Sequence, residues 1–526
     1  MYKVLITDPL SDLGIEKISQ AEDIEVVRKT GLTHDELLLA IEDADALMVR
    51  SQTKVTADVI EKAKRLKVIA RAGVGVDNID IAAATQKGII VVNAPDGNTI
   101  STAEHTFAML ISLARNIPQA YHSLLQGEWN RKAFVGTELN QKTLSIIGLG
   151  RIGSELAKRA KAFRMNVIAY DPYLSDDRAE KLGVKKADLE EAIAQGDFIT
   201  VHTPLTKETK HLIDRNMFAK MKDGVRILNC ARGGIIDEQA LYDAIQEGKV
   251  SGAALDVFES EPPRDQPLLT LPQVIATPHL GASTVEAQEN VAIDVSEEVL
   301  HILRGEPFKN AVNLPSVPAE LQQKLQPYQE LAEKLGKFVS QISKGALSQI
   351  TITYAGEVAE FDVSPLSRTV LKGVLSHYLN NVNDVNAPHL AKKRGVQVVE
   401  QKTMSSQGFT QYIKVEVKTS TEIRSVAGTL LNGFGARITK INDYPVDVNT
   451  HGHLLFIEHQ DLPGAIGRVG TLLGSQNINI ATMQVGRQMI GGQAIMILQI
   501  DKPLPDKLIE SIKEINEIQS LYEVDL

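Results

Sequence analysis

Gly148-Leu149-Gly150-Arg151-Ile152-Gly153 decides how this chain is read. An apolar run, Thr143-Leu144-Ser145-Ile146-Ile147, precedes it, and Ser154-Glu155-Leu156-Ala157-Lys158-Arg159-Ala160 follows. The pattern predicts strand, tight turn and helix. Glycines at that spacing let the backbone approach a pyrophosphate closely, and the free N–H groups of the helix start face the anion. Glycine is common in this chain, 37 of 526 residues, so the turn alone is a weak signal and its surroundings must carry the reading. A second apolar run, Asn166-Val167-Ile168-Ala169-Tyr170, ends at Asp171, eighteen residues past Gly153. An acid at that distance accepts hydrogen bonds from an adenosine ribose and repels the extra phosphate of NADP. No Arg or Lys follows until Arg178, so the spacing favours NAD.

Around this unit, short apolar strands alternate with helical stretches, the rhythm of parallel sheets with crossover helices. Residues 1–95 show the rhythm without a glycine fingerprint, beginning with a strand at Lys3–Thr7 where a signal peptide would stand. The dinucleotide unit is therefore expected to be inserted in another domain. The expected class is α/β, a Rossmann-type doubly wound nucleotide domain (99–283) within a flavodoxin-like substrate-binding domain (1–98 and 284–314). Ser101–Arg115 reads as a hinge helix capped by Ser101, with Glu104 at the third helical position. Glu286–Leu303 reads as an amphipathic helix returning to the first domain, and Asn313–Pro318 as a linker. An α+β intervening domain of unreadable topology (315–450) and a ferredoxin-like module (451–526), with strands and helices in the order βαββαβ, complete the chain.

Three residues carry the chemistry. Arg232 follows the apolar run Val225-Arg226-Ile227-Leu228-Asn229, at the strand end where open α/β sheets bind ligands. Gly233 and Gly234 permit close approach there, and a guanidinium clamps a carboxylate while polarising an adjacent carbonyl. His279 stands just past the strand Val274-Ile275-Ala276-Thr277, and Glu261 in a loop after the strand ending at Asp256. A carboxylate beside an imidazole fixes its tautomer and favours its protonated form. These residues point to a nicotinamide oxidoreductase with an anionic substrate. Arg50 ends another strand, and Arg71–Asn78 offers N–H groups to a carboxylate.

The sequence resembles the D-2-hydroxyacid dehydrogenases, through the Gly148–Gly153 turn, Cys230-Ala231-Arg232-Gly233-Gly234, Asp256-Val257-Phe258 with Glu261-Pro262, and Pro278-His279-Leu280-Gly281. It is similar over its whole length to the long form with two C-terminal regulatory domains. The resemblance implies Arg232 as carbonyl polariser, His279 as acid/base and Glu261 as its partner. It further implies cofactor contacts at Gly148, Gly150, Arg151, Ile152, Gly153, Asp171, Thr203, Cys230, Ala231, Arg232, Asp256, His279, Gly281 and Ala282. Implied substrate contacts are Arg50, Ser51, Gly73, Val74, Gly75 and Asn98, with Arg131 reaching the neighbouring subunit's substrate. Gln460-Asp461-Leu462-Pro463-Gly464 resembles the amino-acid-binding ACT motif, which implies an L-serine effector at His459, Asp461 and Asn479. The implied reaction is NAD-dependent oxidation of 3-phosphoglycerate. A glyoxylate or hydroxypyruvate reductase, or a non-catalytic NAD sensor, are the alternatives.

Composition narrows the class further. A net charge of −10 argues against a nucleic-acid surface, and no apolar run reaches the ~18 residues of a membrane span. Cys230 is the only cysteine, which argues against disulfides and a Cys-rich metal site. A cytoplasmic protein without a metal is the resulting picture, and the resemblance adds a homo-oligomer, expected as a tetramer.

Overall fold

A computed structural model describes residues 1–315, 317–405 and 408–526. Near-continuous apolar runs suit strands covered on both faces, and the first five (Tyr2–Ile6, Ile24–Arg28, Ala46–Val49, Val68–Arg71 and Ile90–Asn93) form a parallel sheet ordered 2-1-3-4-5. This is the flavodoxin-like order. The helix Val285–Arg304 packs Val291, Val295 and Val299 onto this sheet.

The second sheet has seven parallel strands in the order 7-6-5-4-1-2-3, with the fingerprint strand Thr143–Ile147 next to the central one. Its strand order reverses between that strand and Phe198–Val201. Such a reversal opens a crevice beyond the strand ends, and the fingerprint turn leads straight into it.

The hinge helix runs Thr99–Arg115, two residues earlier than its predicted cap. Asn98 occupies the cap position without a side-chain capping bond. Ser101 is buried inside the first turn, with its hydroxyl 2.7 Å from that of Thr284, and Glu104 reaches Arg159 at 3.2 Å. The predicted Ser101–Glu104 capping box is thus corrected: tertiary partners take up both side chains. The predicted linker is also tied down at its first residue. Asn313 accepts from the Val91 N–H at 2.9 Å and donates to the Ile89 carbonyl at 2.8 Å. Ser316, in the middle of that stretch, lies outside the described residues.

Six strands from Leu347–Gly356 to Tyr444–Asn449 make a third sheet, ordered 2-1-3-4-5-6 and antiparallel except for its first pair. The last module is a four-stranded antiparallel sheet ordered 2-3-1-4. Alternation in its first strand, His453–Gln460, sends Leu455 and Ile457 toward its own helices. Leu454 and Phe456 face the other way, into a core shared with Leu335, Phe338 and Val339 of the helix Ala319–Gln341. The third sheet and the last module therefore have one hydrophobic core between them. Arg424 fastens its rim with two bonds to the Glu458 carboxylate, at 2.5 and 3.0 Å.

Candidate active site

Loops from the carboxyl ends of both parallel sheets meet in one cleft. Two ion pairs cross it, Arg151 to Asp96 at 2.5 Å and Arg232 to Asp77 at 3.1 Å.

The fingerprint glycines divide into two kinds. Gly148 has φ +102°, and a Cβ there would lie 2.5 Å from the His202 carbonyl oxygen. A Cβ on Gly153 would lie 2.3 Å from the Gly148 oxygen. Both are needed for the turn itself. Gly150 has an ordinary φ of −70° and open space around its missing Cβ, so nothing within the chain requires glycine there. A ligand seated on the backbone would. The helix Arg151–Ala162 starts at this position with no side-chain cap on its N–H groups. Asp171 accepts from the N–H groups of Leu149 and Tyr173, both at 2.8 Å, which fixes its carboxylate beside the turn while spare acceptor capacity remains. Arg178 folds back to donate to the Leu149 carbonyl at 2.9 Å, so a cation stands nearer the turn than its sequence spacing suggests. Thr203 Oγ1, Asn98 Oδ1, Thr99 Oγ1 and His202 Nδ1 are buried without a hydrogen-bond partner, and desolvation pushes the His202 imidazole down to about 4. The uncapped N–H groups of the helix start and the spare acceptor capacity of Asp171 suit an extended polar ligand such as NAD.

Beyond the next strands lies the reactive group. His279 Nδ1 is 2.8 Å from Glu261 Oε2, while Glu261 Oε1 accepts from the Phe258 N–H at 3.1 Å. Burial works to raise the Glu261 pKa, but the hydrogen bond and charge of His279 and the Phe258 N–H outweigh it, and the net direction is downward. The anion therefore holds the Nδ1 proton and leaves Nε2 as the free nitrogen of the ring. His279 has φ +55°, in the left-handed region, and its N–H donates to the carbonyls of Asp256 and Thr277, each at 3.0 Å. A Cβ on Gly233 would lie 1.9 Å from the Phe258 carbonyl oxygen, so the Arg232 loop packs directly on the loop leading to Glu261.

Arg232 lies flat on the opposite loop: a Cβ on Gly75 would be 1.9 Å from its Nη2. Arg71, the end of the fourth strand and overlooked as a cation in the sequence, sits behind it with a buried, unpartnered Nε. Burial and then the charge of Arg232 push its pKa down to about 10, which leaves it a cation at neutral pH. Val49, next to Arg50, pairs in register with Arg71, a proximity no linear spacing reveals. The Arg50 backbone is held by Asp8 at 2.6 Å and by Asn78 at 2.7 Å. Val74 and Gly73 line the same loop through bonds from Asn93 and Ala94, and Ser51 is exposed at its edge. Cys230 is buried, and burial together with the Asp256 charge pushes its thiol up to about 12. Only its backbone is available to a ligand. Ala231, Gly281 and Ala282 follow the same strand ends.

Arg131 is exposed in the 3-10 turn Arg131–Phe134, and no ion pair or hydrogen bond among the described residues joins it to the cleft. The effector candidates are likewise not gathered by direct bonds. Asp461 is engaged by Arg487 at 3.0 Å and the Gly491 N–H at 3.2 Å, Asn479 is exposed, and His459 is buried with Nδ1 2.8 Å from the Gln460 carbonyl. Its Nε2 has no partner.

Residues 107–281 match the NAD binding domain of the D-isomer specific 2-hydroxyacid dehydrogenases. Residues 324–442 match the D-3-phosphoglycerate dehydrogenase intervening domain, and 453–517 the ACT domain. A D-3-phosphoglycerate dehydrogenase of Bacillus subtilis is 50% identical over 100% of both chains, as is one of Methanocaldococcus jannaschii. A D-lactate dehydrogenase of Aquifex aeolicus, solved with NAD and lactic acid, is 31% identical with a TM-score of 0.54, covering 60% of this chain and 100% of its own. With relatives alike from end to end and family models matching three successive stretches from residue 107 onward, the chain belongs to the D-3-phosphoglycerate dehydrogenase family of D-isomer specific 2-hydroxyacid dehydrogenases.

Proposed function

We propose that this enzyme oxidises 3-phospho-D-glycerate with NAD to 3-phosphohydroxypyruvate, the first step of L-serine synthesis, under feedback control by L-serine. The observation that carries the reading is the His279–Glu261 pair at 2.8 Å, beside the loop of Arg232 in the cleft. Bound NAD supplies the hydride acceptor. Gly148, Gly150 and Gly153 with the helix start hold its pyrophosphate, and Asp171 its adenosine ribose. Neutral His279 takes the substrate hydroxyl proton at Nε2, and Glu261 stabilises the imidazolium that results. Arg232 holds the carboxylate and the oxygen that becomes a carbonyl. To do so it exchanges its Asp77 contact for the substrate. Arg50 and Arg71 add positive charge for the anionic ends.

Ile117–Leu125 and the segment after it support an oligomer. Tyr121, Leu125, Trp129 and Val135 are 62%, 67%, 79% and 79% exposed, a run of apolar side chains that a second copy would cover. Arg131 stands within that run, suited to reach across to the partner. A cytoplasmic homotetramer is the assembly this reading expects.

Steady-state turnover of 3-phosphoglycerate with NAD, set against reduction of glyoxylate, tests the substrate; a preference for glyoxylate would sink it. Gly150→Val tests the cofactor site. The free protein has room for the side chain, so its melting temperature should stay near wild type. The clash with a seated pyrophosphate should weaken NAD by about 10- to 100-fold, from an overpacking cost of about 1–3 kcal/mol. Unchanged NAD affinity in calorimetry would move the cofactor elsewhere.

For the effector, Asp461 and the helix start after Pro463 suit the two charges of a free amino acid. Arg487 already occupies Asp461, so an ammonium group must displace it. Asp461→Ala should leave uninhibited turnover near wild type and raise the serine concentration for half-inhibition by about tenfold, a coupling loss within the usual 1–3 kcal/mol. Inhibition equal to wild type would exclude Asp461 from the site.

A further inference from the structure

The hinge helix does more than connect two sheets: one of its faces holds the loop that carries His279. Asp256, 1% exposed, is the centre of that loop. Its Oδ1 accepts from the Thr277 hydroxyl at 2.6 Å and the Leu280 N–H at 2.7 Å. Its Oδ2 accepts from the Gly281 N–H at 2.8 Å, and its backbone carbonyl from the His279 N–H at 3.0 Å. A single buried carboxylate thus organises residues 277–281 around the left-handed His279. Such a backbone is strained for a residue with a side chain and persists only where its surroundings over-determine it.

His105 reaches this carboxylate from the hinge helix. Its Nε2 lies 3.2 Å from Asp256 Oδ1 and 3.1 Å from Thr277 Oγ1. The Thr277 hydroxyl spends its proton on Asp256, so its oxygen accepts, and the carboxylate has only acceptors. Nε2 of His105 must therefore carry the proton and donate. One turn earlier, Thr102 Oγ1 donates to the Gly281 carbonyl at 3.1 Å, on the same face of the helix. Burial works to raise the Asp256 pKa, but the hydrogen bonds from His105, Thr277 and Leu280 outweigh it, so the anion that the loop is built on is retained.

We infer that His105 is a positioning residue for the reaction proposed above: from the hinge helix it holds the Asp256 carboxylate, and through it the backbone that aims His279. The inference rests on that reading of His279 as the acid/base. A positioning error near 1 Å costs about 10²-fold in turnover, so the effect should appear in kcat, with substrate and cofactor affinity nearly unchanged.

The test compares three variants of the full-length enzyme. A glutamine amide nitrogen falls near the Nε2 position of histidine, whereas that of asparagine falls near Nδ1. His105→Gln should therefore keep the donor, and His105→Asn and His105→Leu should lose it. His105→Leu and His105→Asn should lower kcat by about 10- to 100-fold. His105→Gln should regain most of that loss, and KM for 3-phosphoglycerate and the Kd of NAD should stay within about threefold throughout. Combined with Asp256→Asn, His105→Leu should add little further loss, because the two side chains act as one unit. Equal turnover for the Gln and Asn variants, or a loss that adds fully to that of Asp256→Asn, overturns the inference, and this holds even if His105→Leu fails to fold. An inactive wild type overturns the functional reading along with it. An active wild type with an unaffected His105→Asn overturns this inference alone.

Discussion

We expect His279→Ala to lower kcat by about 10²–10⁴-fold, the usual contribution of a positioned general acid–base group. The loss should sit in kcat, because nothing in the cleft suggests that the imidazole holds the cofactor's phosphates. Calorimetric NAD affinity should change little. The reason lies in the division of labour at the ring. Glu261 holds the proton on Nδ1, so Nε2 is the only nitrogen that can take the hydroxyl proton, and alanine leaves no substitute within the loop. Turnover retained within tenfold would remove His279 from the role.

Arg232→Gln should be the next most damaging change, lowering kcat/KM by about 10²–10³-fold, as for removal of a donor aimed at developing charge. Glutamine keeps an N–H but neither the charge nor the fork that grips a carboxylate. Part of the loss should appear in KM, since Arg232 serves both binding and the transition state. Two controls separate this from collapse of the cleft. Asp77→Asn removes the partner across the cleft without removing the guanidinium, and thermal unfolding reports whether the two sheets still dock. A loss for Asp77→Asn as large as that for Arg232→Gln would make the ion pair, not the guanidinium, the essential feature.

Much of this was legible in the chain because parallel strands covered on both faces leave unbroken apolar runs. Ala46–Val49 and Val225–Asn229 stand where their runs predict. Asp171, Glu261 and His279 each follow such a run, so the strand ends alone point to the cleft. The failures share a cause: contacts between distant segments. Ser101 looks like a cap until Thr284, 183 residues away, appears beside it. Arg71 reads as part of a glycine loop because its nearness to Arg232 depends on how two sheets face each other. His105 was missed although its signal is present: Ser101, Thr102, His105 and Thr106 put polar side chains on a helix face that packing would reserve for apolar ones. Helix Ile117–Leu125 was overlooked because its apolar side chains face outward, which gives no periodic burial to detect within one chain.

The core shared by the helix Ala319–Gln341 and the last module bears on how a feedback-resistant enzyme should be made. A cut after residue 450 looks natural, since it falls between two sheets. It would strip Phe456 from Phe338, ring centroids 6.2 Å apart, along with Leu454, Ile495, Ile497 and Val524, leaving an open apolar face on what remains. Such a face invites aggregation, and the product would be sticky before it was deregulated. Truncation ahead of Ala319 removes both parts as one block. Its main lost contacts would be peripheral, such as the bond from Asn383 to the Gly88 carbonyl at 2.8 Å. For the same reason the two parts must be exchanged as a pair: replacing the terminal module by that of another enzyme demands a matching helix beneath it, and a graft of the module alone meets a surface shaped for a different guest.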